Sequence, residues 1–272
     1  MDGSRILLTG ASGRLGAYLR HELEPDHCLR LTDRAPLRAP VSGEFLQGDL
    51  TDPAFAEEVT EGVGAIIHLA GDPRAEAQWD TLLDANIRAT ANLFESAQHH
   101  GVRKIIYASS VHAAGAYNDP EDWPVQASWP ARPCCRYGAS KVAGEVLARL
   151  YADQVHDSSV ICLRLALVGE APRWSGEAGA WLDMTDLARL VRRALEADVS
   201  FGVLFGVSAS DRPRYDSGEL EREIGYVPAI TAPDAGSLTS SPPHYASGCQ
   251  LWRLRTNDLD SPTTKNGSKE KQ

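Results

Sequence analysis

Tyr137 and Lys141 are the residues whose types and spacing point most directly to chemistry, together with Ser110 at the end of an upstream apolar run. Residues four apart share one face of a helix, so the phenol and the ammonium are expected to be neighbours. A nearby ammonium stabilises phenolate and should lower the pKa of the phenol from its usual value near 10. With Ser110 orienting the reacting oxygen, the three residues predict proton transfer at an alcohol or carbonyl, as in hydride-transfer enzymes.

A Tyr-x-x-x-Lys pair also arises by chance, so the prediction depends on a dinucleotide site elsewhere in the chain. The segment Arg5–Gly16, RILLTGASGRLG, is typical of a strand, a tight turn and a helix. Gly10 would allow the turn, Gly13 a close approach of phosphates, and Gly16 close packing of helix on strand. Backbone N–H groups at such a helix N-terminus bind a pyrophosphate. The GxxGxxG spacing alone is equally compatible with an ordinary loop.

A carboxylate follows the next apolar run, LRLTD, at Asp33. In a dinucleotide fold a carboxylate at this strand end accepts hydrogen bonds from the ribose hydroxyls and repels a 2′-phosphate, which favours NAD over NADP. Two other interpretations stay open. Arg34 could instead receive a 2′-phosphate, and Asp33 could simply cap a turn before Pro36.

Two further strand ends carry residues suited to a cofactor. The first is Gly48-Asp49-Leu50, where the carboxylate could bond the adenine amine and the leucine could pack on the ring. The second is His68-Leu69-Ala70-Gly71, whose small side chains would let a ligand lie against the backbone. Ligands of doubly wound folds bind at such carboxyl edges.

Strand-like and helix-like runs alternate along the first two-thirds of the chain, which predicts βαβ units and a doubly wound α/β fold with a parallel sheet. The predicted strands are Ile6–Leu8, Leu29–Thr32, Glu44–Gln47, Ala65–Leu69, Lys104–Ala108, Val160–Leu165 and Val203–Val207. The predicted helices are Arg14–Glu22, Ala54–Thr60, Trp79–His99, Ser140–Val155, Asp186–Ala197 and Ser217–Gly225.

The same pattern predicts three parts of the chain. Residues 1–165 would form a dinucleotide-binding Rossmann core, and residues 166–235 a small substrate-binding lobe interleaved with that core. Residues 236–272 are poor in apolar side chains and are expected to be a disordered tail.

Composition narrows the classes of function. The chain has 272 residues, 43% of them hydrophobic, and a formal net charge of −10, which gives no basic surface for nucleic acid or anionic lipid. It has no apolar stretch near the roughly 20 residues that span a bilayer, and no signal-peptide pattern, so a cytoplasmic location is expected. The five cysteines include no CxxC pair and no histidine at zinc-site spacing, so reduced thiols and no metal are expected.

Taken together, these motifs resemble those of the extended short-chain dehydrogenase/reductases (the NAD-dependent epimerase/dehydratase family), and among them the uronate dehydrogenases. The resemblance runs from about Arg5 to Ala235. The segments that carry it most specifically are TGASGRLG, LRLTD, GDL, HLAG, ASSVH, ARPCCRYGASK and GVSASD. It implies Ser110, Tyr137 and Lys141 as the catalytic residues. The NAD site that it implies comprises Gly10, Gly13, Arg14, Leu15, Gly16, Asp33, Asp49, Leu50, Leu69, Ala70, Gly71, Asn86, Tyr137 and Lys141.

The resemblance is weaker where the substrate should bind. Positions at which uronate dehydrogenases carry Ser, Asn, Ser and Arg for the sugar acid read Pro73, Val111, Leu167 and Gly176 here, and His112 alone agrees. The predicted substrate-binding residues are Ser110, Val111, His112 and Leu167. Arg74 or Arg173 could supply a displaced cation. Unpaired hydroxyls of a uronate would each cost roughly 1–3 kcal/mol, so a less polar substrate is expected.

The sequence therefore predicts an NAD-dependent oxidoreductase that oxidises a secondary alcohol or hemiacetal of a small sugar-like metabolite. The alternatives are an epimerase that retains its NAD and a catalytically idle dinucleotide sensor. The resemblance also implies a homodimer formed through the helices Trp79–His99 and Ser140–Val155.

Overall fold

The structure, a computed structural model, describes residues 5–38 and 43–238 and is built on a parallel β-sheet. The strands of this sheet are β1 (Arg5–Thr9), β2 (Leu29–Asp33), β3 (Glu44–Gln47), β4 (Val63–His68), β5 (Lys104–Ser110), β6 (Ser159–Leu165) and β9 (Phe201–Gly206). Two short strands, β7 (Leu167–Val168) and β8 (Trp181–Leu182), pair separately in parallel.

The seven strands lie in the order β3-β2-β1-β4-β5-β6-β9, and every pair is parallel. The chain moves outward from β1 to β3 and then returns to β4 on the other side of β1. The strand order therefore reverses between β1 and β4, and such a switch point opens a crevice at the carboxyl ends of the strands. The predicted doubly wound α/β fold is confirmed.

Helices cover both faces of the sheet. They are α1 (Arg14–Leu23), α2 (Pro53–Thr60), α3 (Trp79–Leu82), α4 (Ala89–His99), α5 (Arg136–Gln154), α6 (Ser175–Ala178), α7 (Met184–Glu196) and α8 (Gly218–Ile224). A π-helical turn, Leu83–Arg88, joins α3 to α4 within the helix predicted over Trp79–His99. None of the helices in residues 5–38 and 43–238 has the length and apolarity needed to cross a bilayer.

Alternation along the strands divides the core into two layers. Ile6 and Leu8 of β1 pack on one face with side chains of α1, α7 and α8, whereas Leu7 packs on the opposite face with side chains of α2, α4 and α5. Because neighbouring strand residues point to opposite faces, a strand buried on both sides reads as a continuous apolar run. This explains why the strands of this chain were recognisable as short apolar segments.

Three element boundaries differ from the prediction in ways that affect the site. Helix α5 begins at Arg136 rather than Ser140, because the sulfur of Cys135 accepts a hydrogen bond from the Gly138 N–H and caps it. Strand β4 ends at His68, so Leu69 lies in the following loop. Strand β9 spans Phe201–Gly206 rather than Val203–Val207.

The segment after residue 165 contributes strand β9 to the main sheet and helix α7 to the layer that packs on the sheet. It also carries the separate β7–β8 pair. The division of the chain at residue 165 stays a prediction. Most of the tail predicted at residues 236–272 lies outside the described residues, which end at residue 238.

Candidate active site

A cleft of about 580 Å³ opens at the carboxyl edge of the sheet, where the strand order reverses. Most of the residues predicted to bind cofactor or substrate line it. They are Gly10, Gly13, Arg14, Leu15, Gly16, Asp33, Asp49, Leu50, Leu69, Ala70, Gly71, Ser110, Val111, His112, Tyr137, Lys141 and Leu167. Residues from seven separate stretches of the sequence therefore line one cleft.

The glycine turn forms one end of the cleft. Gly10 has a φ of +71°, and a Cβ there would lie 2.9 Å from the backbone N of Ala70. A Cβ at Gly16 would overlap the carbonyl oxygen of Gly10. Helix α1 starts after Gly13 with no side-chain cap, so its first N–H groups are left for a ligand. The turn fits a pyrophosphate group.

Asp33 caps the turn that follows it and also faces the cleft. Its carboxylate accepts hydrogen bonds from the backbone N–H of Ser12 and of Ala35, each at 3.0 Å, and it also lines the cleft. Arg34 pairs with Asp49 at 3.6 Å, and both side chains are exposed. Asp33 thus fixes the glycine turn and presents a negative charge where a ribose would lie.

A buried network behind the cleft wall was not found by sequence reasoning. The hydroxyl oxygen of Thr9 accepts hydrogen bonds from the N–H groups of Leu69 (3.2 Å) and Ala70 (3.1 Å), so its proton goes to His68 Nδ1 at 2.8 Å. The other ring nitrogen of His68 lies 3.0 Å from the hydroxyl of Thr90. Burial, with the positive charge of Lys141, lowers the pKa of His68 to about 3 and keeps the ring neutral. The network holds the loop that follows β4.

Asn86 does not line the cleft, although the resemblance placed it in the cofactor site. It lies in the π-helical turn with a fully buried side chain. Its Oδ1 accepts a hydrogen bond from the Asp72 N–H (2.7 Å), and its Nδ2 donates to the Asp72 carbonyl (3.1 Å) and to the Ser140 hydroxyl (2.8 Å). Asn86 therefore ties the loop after β4 to helix α5 and positions both.

Tyr137 and Lys141 lie at the other end of the cleft, one turn apart on α5. The Lys141 Nζ is 5.8 Å from the centre of the Tyr137 ring, and both residues are buried. Burial lowers the pKa of Lys141 to about 8, partly opposed by the charge of Glu145. The ammonium form therefore prevails at neutral pH.

The expected low pKa of the phenol is wrong for the unliganded protein. Burial raises the pKa of Tyr137 to about 12, and the hydrogen bond from Ser110 opposes this rise only in part. Lys141 is not among the groups that shift it. The ammonium of Lys141 also faces the Tyr107 ring, 5.1 Å from its centre. Additional positive charge in the cleft would be needed to favour phenolate.

An ion pair that the sequence analysis missed supports strand β5, which ends in Ser109 and Ser110. Glu145 lies one turn after Lys141 and accepts hydrogen bonds from the Ser109 hydroxyl (2.5 Å) and from the Arg164 guanidinium (2.9 Å for each of two nitrogens). Glu145 and Arg164 are both buried. The pair joins α5, β5 and β6, and it fixes the backbone that carries Ser110.

Three apolar residues occupy cleft positions at which the sequence suggested a less polar substrate site. Pro73, Val111 and Leu167 line the cleft, and the aligned Gly176 does not. Neither of the two candidate cations lines the cleft, and each is held by a carboxylate, of which Asp72 does line it. Arg74 pairs with Asp72 through two nitrogens, and Arg173 pairs with Glu177 at 2.8 Å.

The fold and the cleft together define a dinucleotide-binding enzyme of the doubly wound class. The family model for the NAD dependent epimerase/dehydratase family matches residues 6–228, and the chain belongs to this family. As a member of this family it is an oxidoreductase that uses NAD. The predicted family and cofactor are confirmed.

Several proteins with similar sequences or structures are sugar dehydrogenases. An NAD-dependent glucose-6-phosphate dehydrogenase from Haloferax volcanii is 37% identical over 242 residues, covering 82% of this chain and 92% of that protein. A uronate dehydrogenase from Pseudomonas syringae is 36% identical, covering 83% of this chain and 82% of that protein. The crystal structure of a uronate dehydrogenase mutant from Agrobacterium tumefaciens, complexed with NAD, superposes with a TM-score of 0.78 at 31% identity, covering 88% of this chain and 91% of that one.

Proposed function

We propose that this chain oxidises a hydroxyl or hemiacetal group of a small, uncharged sugar, with Ser110, Tyr137 and Lys141 as its catalytic residues. The observation that supports this most directly is that all three line the cleft that starts at the glycine turn. NAD, when bound, supplies the hydride acceptor. The turn would hold its pyrophosphate and Asp33 its ribose.

In this proposal Tyr137 accepts the proton of the substrate hydroxyl while Ser110 holds the substrate oxygen. The Ser110 hydroxyl already lowers the pKa of Tyr137, so it favours the phenolate that the reaction needs. Lys141, with a pKa of about 8, contributes a positive charge below that pH. A rise in rate toward alkaline pH is expected from the high pKa of Tyr137.

Replacing Tyr137 tests the assignment. Tyr137→Phe removes only the hydroxyl and should lower turnover by at least about a thousandfold, within the range for a lost general base. NAD binding, measured by calorimetry, should persist because the other contacts remain. Tyr117→Phe is a matched control, since the Tyr117 hydroxyl donates to the Pro130 carbonyl outside the cleft lining. Substantial activity in Tyr137→Phe would contradict the mechanism.

The substrate class follows from the apolar side chains and from the paired cations. Pro73, Val111 and Leu167 offer no side-chain hydrogen bonds, and Arg74 and Arg173 each face a carboxylate. An acidic substrate would have to compete with Asp72 or Glu177 for its counter-ion. We therefore expect neutral aldoses to give higher kcat/KM than uronates or aldose phosphates in a panel that follows NADH formation.

The same panel separates the alternatives. An epimerase would carry NAD through purification and convert one sugar into another with no net NADH. A sensor would bind NAD and turn over none of the substrates. Either result would contradict the proposed dehydrogenase activity.

We also propose a homodimer and a cytoplasmic location. Val146 and Leu150 are one turn apart on α5 and more than half exposed, and Leu83 on the preceding helical segment is 47% exposed. Apolar side chains grouped on helices in this way suit an interface between two copies. Light scattering would measure the oligomeric state. The cytoplasmic location is supported by Cys28 and Cys162, which are reduced thiols in the part of the chain that the structure describes.

A further inference from the structure

Three potential metal-ligand atoms meet beside Tyr137. They belong to His112 and to two cysteines that the function proposed above does not use. The His112 Nδ1 lies 3.3 Å from the Cys135 sulfur and 3.5 Å from the Cys134 sulfur, and the two sulfurs are 4.0 Å apart. The sequence predicted no metal site because no cysteine or histidine lies at zinc-site spacing along the chain. The fold supplies the histidine from the turn after β5, far from the cysteines in sequence.

These separations have the dimensions of a zinc site. In a tetrahedral complex with Zn–S near 2.3 Å and Zn–N near 2.0 Å, the edges of the tetrahedron are about 3.8 Å between sulfurs and about 3.5 Å between sulfur and nitrogen. The triangle formed by His112, Cys134 and Cys135 matches one face of that tetrahedron to within a few tenths of an ångström. A cation could be bound with only small side-chain movements.

The position of Cys135 at the start of α5 suits a sulfur that binds a cation. Cys135 is the N-cap of α5, and its sulfur accepts a hydrogen bond from the Gly138 N–H at 3.4 Å. The positive end of a 19-residue helix stabilises negative charge at this position. His112 and Cys135 are only partly buried, so a cation can reach the group from solvent.

The donor set identifies the class of ion. Two sulfurs and one imidazole nitrogen suit a soft or borderline divalent cation such as Zn²⁺ and disfavour Mg²⁺ or Ca²⁺, which prefer oxygen. No fourth His, Cys, Asp or Glu joins the group among the residues that the structure describes, so water would complete the tetrahedron. We propose that His112, Cys134 and Cys135 form a binding site for one Zn²⁺ ion at the edge of the active-site cleft.

Occupancy of this site should affect turnover, an expectation that rests on the proposed function. His112 lines the cleft, and its ring packs edge-to-face on Tyr137 with centroids 5.4 Å apart. Coordination through Nδ1 would fix the imidazole in one orientation, so that His112, a predicted substrate-binding residue, could no longer adjust to a substrate. Zn²⁺ is therefore expected to act as a reversible inhibitor.

The binding test uses the full chain, reduced and freed of metal. Calorimetric titration with Zn²⁺ should give one tight site, and Co²⁺ in its place should give a thiolate-to-metal charge-transfer band. The double variant Cys134→Ser/Cys135→Ser should bind at least about a hundredfold more weakly and lose the band. Cys134→Ala, which leaves the cap of α5 intact, serves as a second variant and should weaken binding and reduce the band, since one thiolate would remain in place of two.

Two controls make the assignment specific. Cys28→Ser/Cys249→Ser keeps the proposed ligands and should bind like the wild type. His99→Ala removes one member of an exposed Glu57–His99–His100 group, which also has metal-binding spacing, and should leave the tight site unchanged. Equal Zn²⁺ affinity in the wild type and the Cys134→Ser/Cys135→Ser variant, or a Co²⁺ complex without thiolate bands, would overturn the proposal.

Inhibition provides a separate readout. Zn²⁺ should inhibit the wild type at the concentrations at which it binds, and a chelator should restore activity, whereas Cys134→Ala should be less sensitive. If the protein bound Zn²⁺ but had no dehydrogenase activity, the metal site would be supported and the proposed function would be refuted. If the active enzyme bound Zn²⁺ without being inhibited, the expected inhibition would be refuted and the binding site would stand.

Discussion

Protonation of His68 should make the folded protein less stable in mild acid. The ring is completely buried against Phe94 and Tyr107, and both of its nitrogens are hydrogen-bonded, to Thr9 and Thr90. Its pKa is about 3 when folded and about 6.5 when unfolded. Between these values the unfolded chain binds the extra proton, so the free energy of unfolding falls as the pH falls.

The size of the effect follows from the two pKa values. The full contribution of His68 to stability is present above pH 6.5 and decreases by about 1.4 kcal/mol per pH unit below it. Between pH 7 and pH 5 the loss from this residue alone is about 2 kcal/mol. His68→Asn keeps a donor and an acceptor but cannot take up the proton, so its stability should fall by about 2 kcal/mol less over the same interval.

Urea unfolding at pH 7 and pH 5, followed by tryptophan fluorescence, measures this difference. The variant can be less stable at both pH values, because the prediction concerns only the change between them. Carboxylates that titrate in this range contribute equally to both proteins and cancel. His156→Asn, at an exposed position, serves as the control. An equal change in wild type and His68→Asn would show that the buried ring is not held neutral by the fold.

Two further predictions concern Asp33 and the buried ion pair. Asp33→Asn should reduce the preference for NAD over NADP by roughly tenfold to a hundredfold, the value of a hydrogen bond to a charged group, as measured by kcat/KM for each cofactor. An unchanged ratio would show that Arg34 governs the choice. Arg164→Met should destabilise the protein by about 3–5 kcal/mol, because Glu145 would stay buried without its counter-ion. Adding Glu145→Leu should recover most of that loss in chemical denaturation, and a double variant as unstable as the single one would argue against a charge effect.

The features that could be predicted from the sequence are those with a local cause. Glycines at Gly10 and Gly16 mark a turn that any larger residue would obstruct. Apolar runs followed by Asp33 or by Leu69-Ala70-Gly71 mark the carboxyl ends of buried parallel strands. Because parallel strands end at one edge, placing each residue after its own strand was enough to bring the residues into one cleft.

The features that were missed depend on contacts between distant segments. Nothing local to Glu145 shows that Arg164 and Ser109 will meet it, because that contact is set by how α5 packs on the sheet. The start of α5 was misplaced because cysteine is not among the usual capping residues. The pKa of Tyr137 was misjudged because spacing along a helix fixes proximity to Lys141 and says nothing about burial.

The π-helical turn at Leu83–Arg88 makes this helix sensitive to a change in length. Such a turn holds one residue more than an α-helical turn, so it behaves as a single-residue insertion retained within a helix. Deleting one residue here would close the turn to α-helical geometry, so that Leu93 and Phe94 could stay in the core. Asn86 lies inside the turn itself, so it would shift and lose its contact with Asp72. A homologue one residue shorter at this point must therefore hold its active-site loop by another contact.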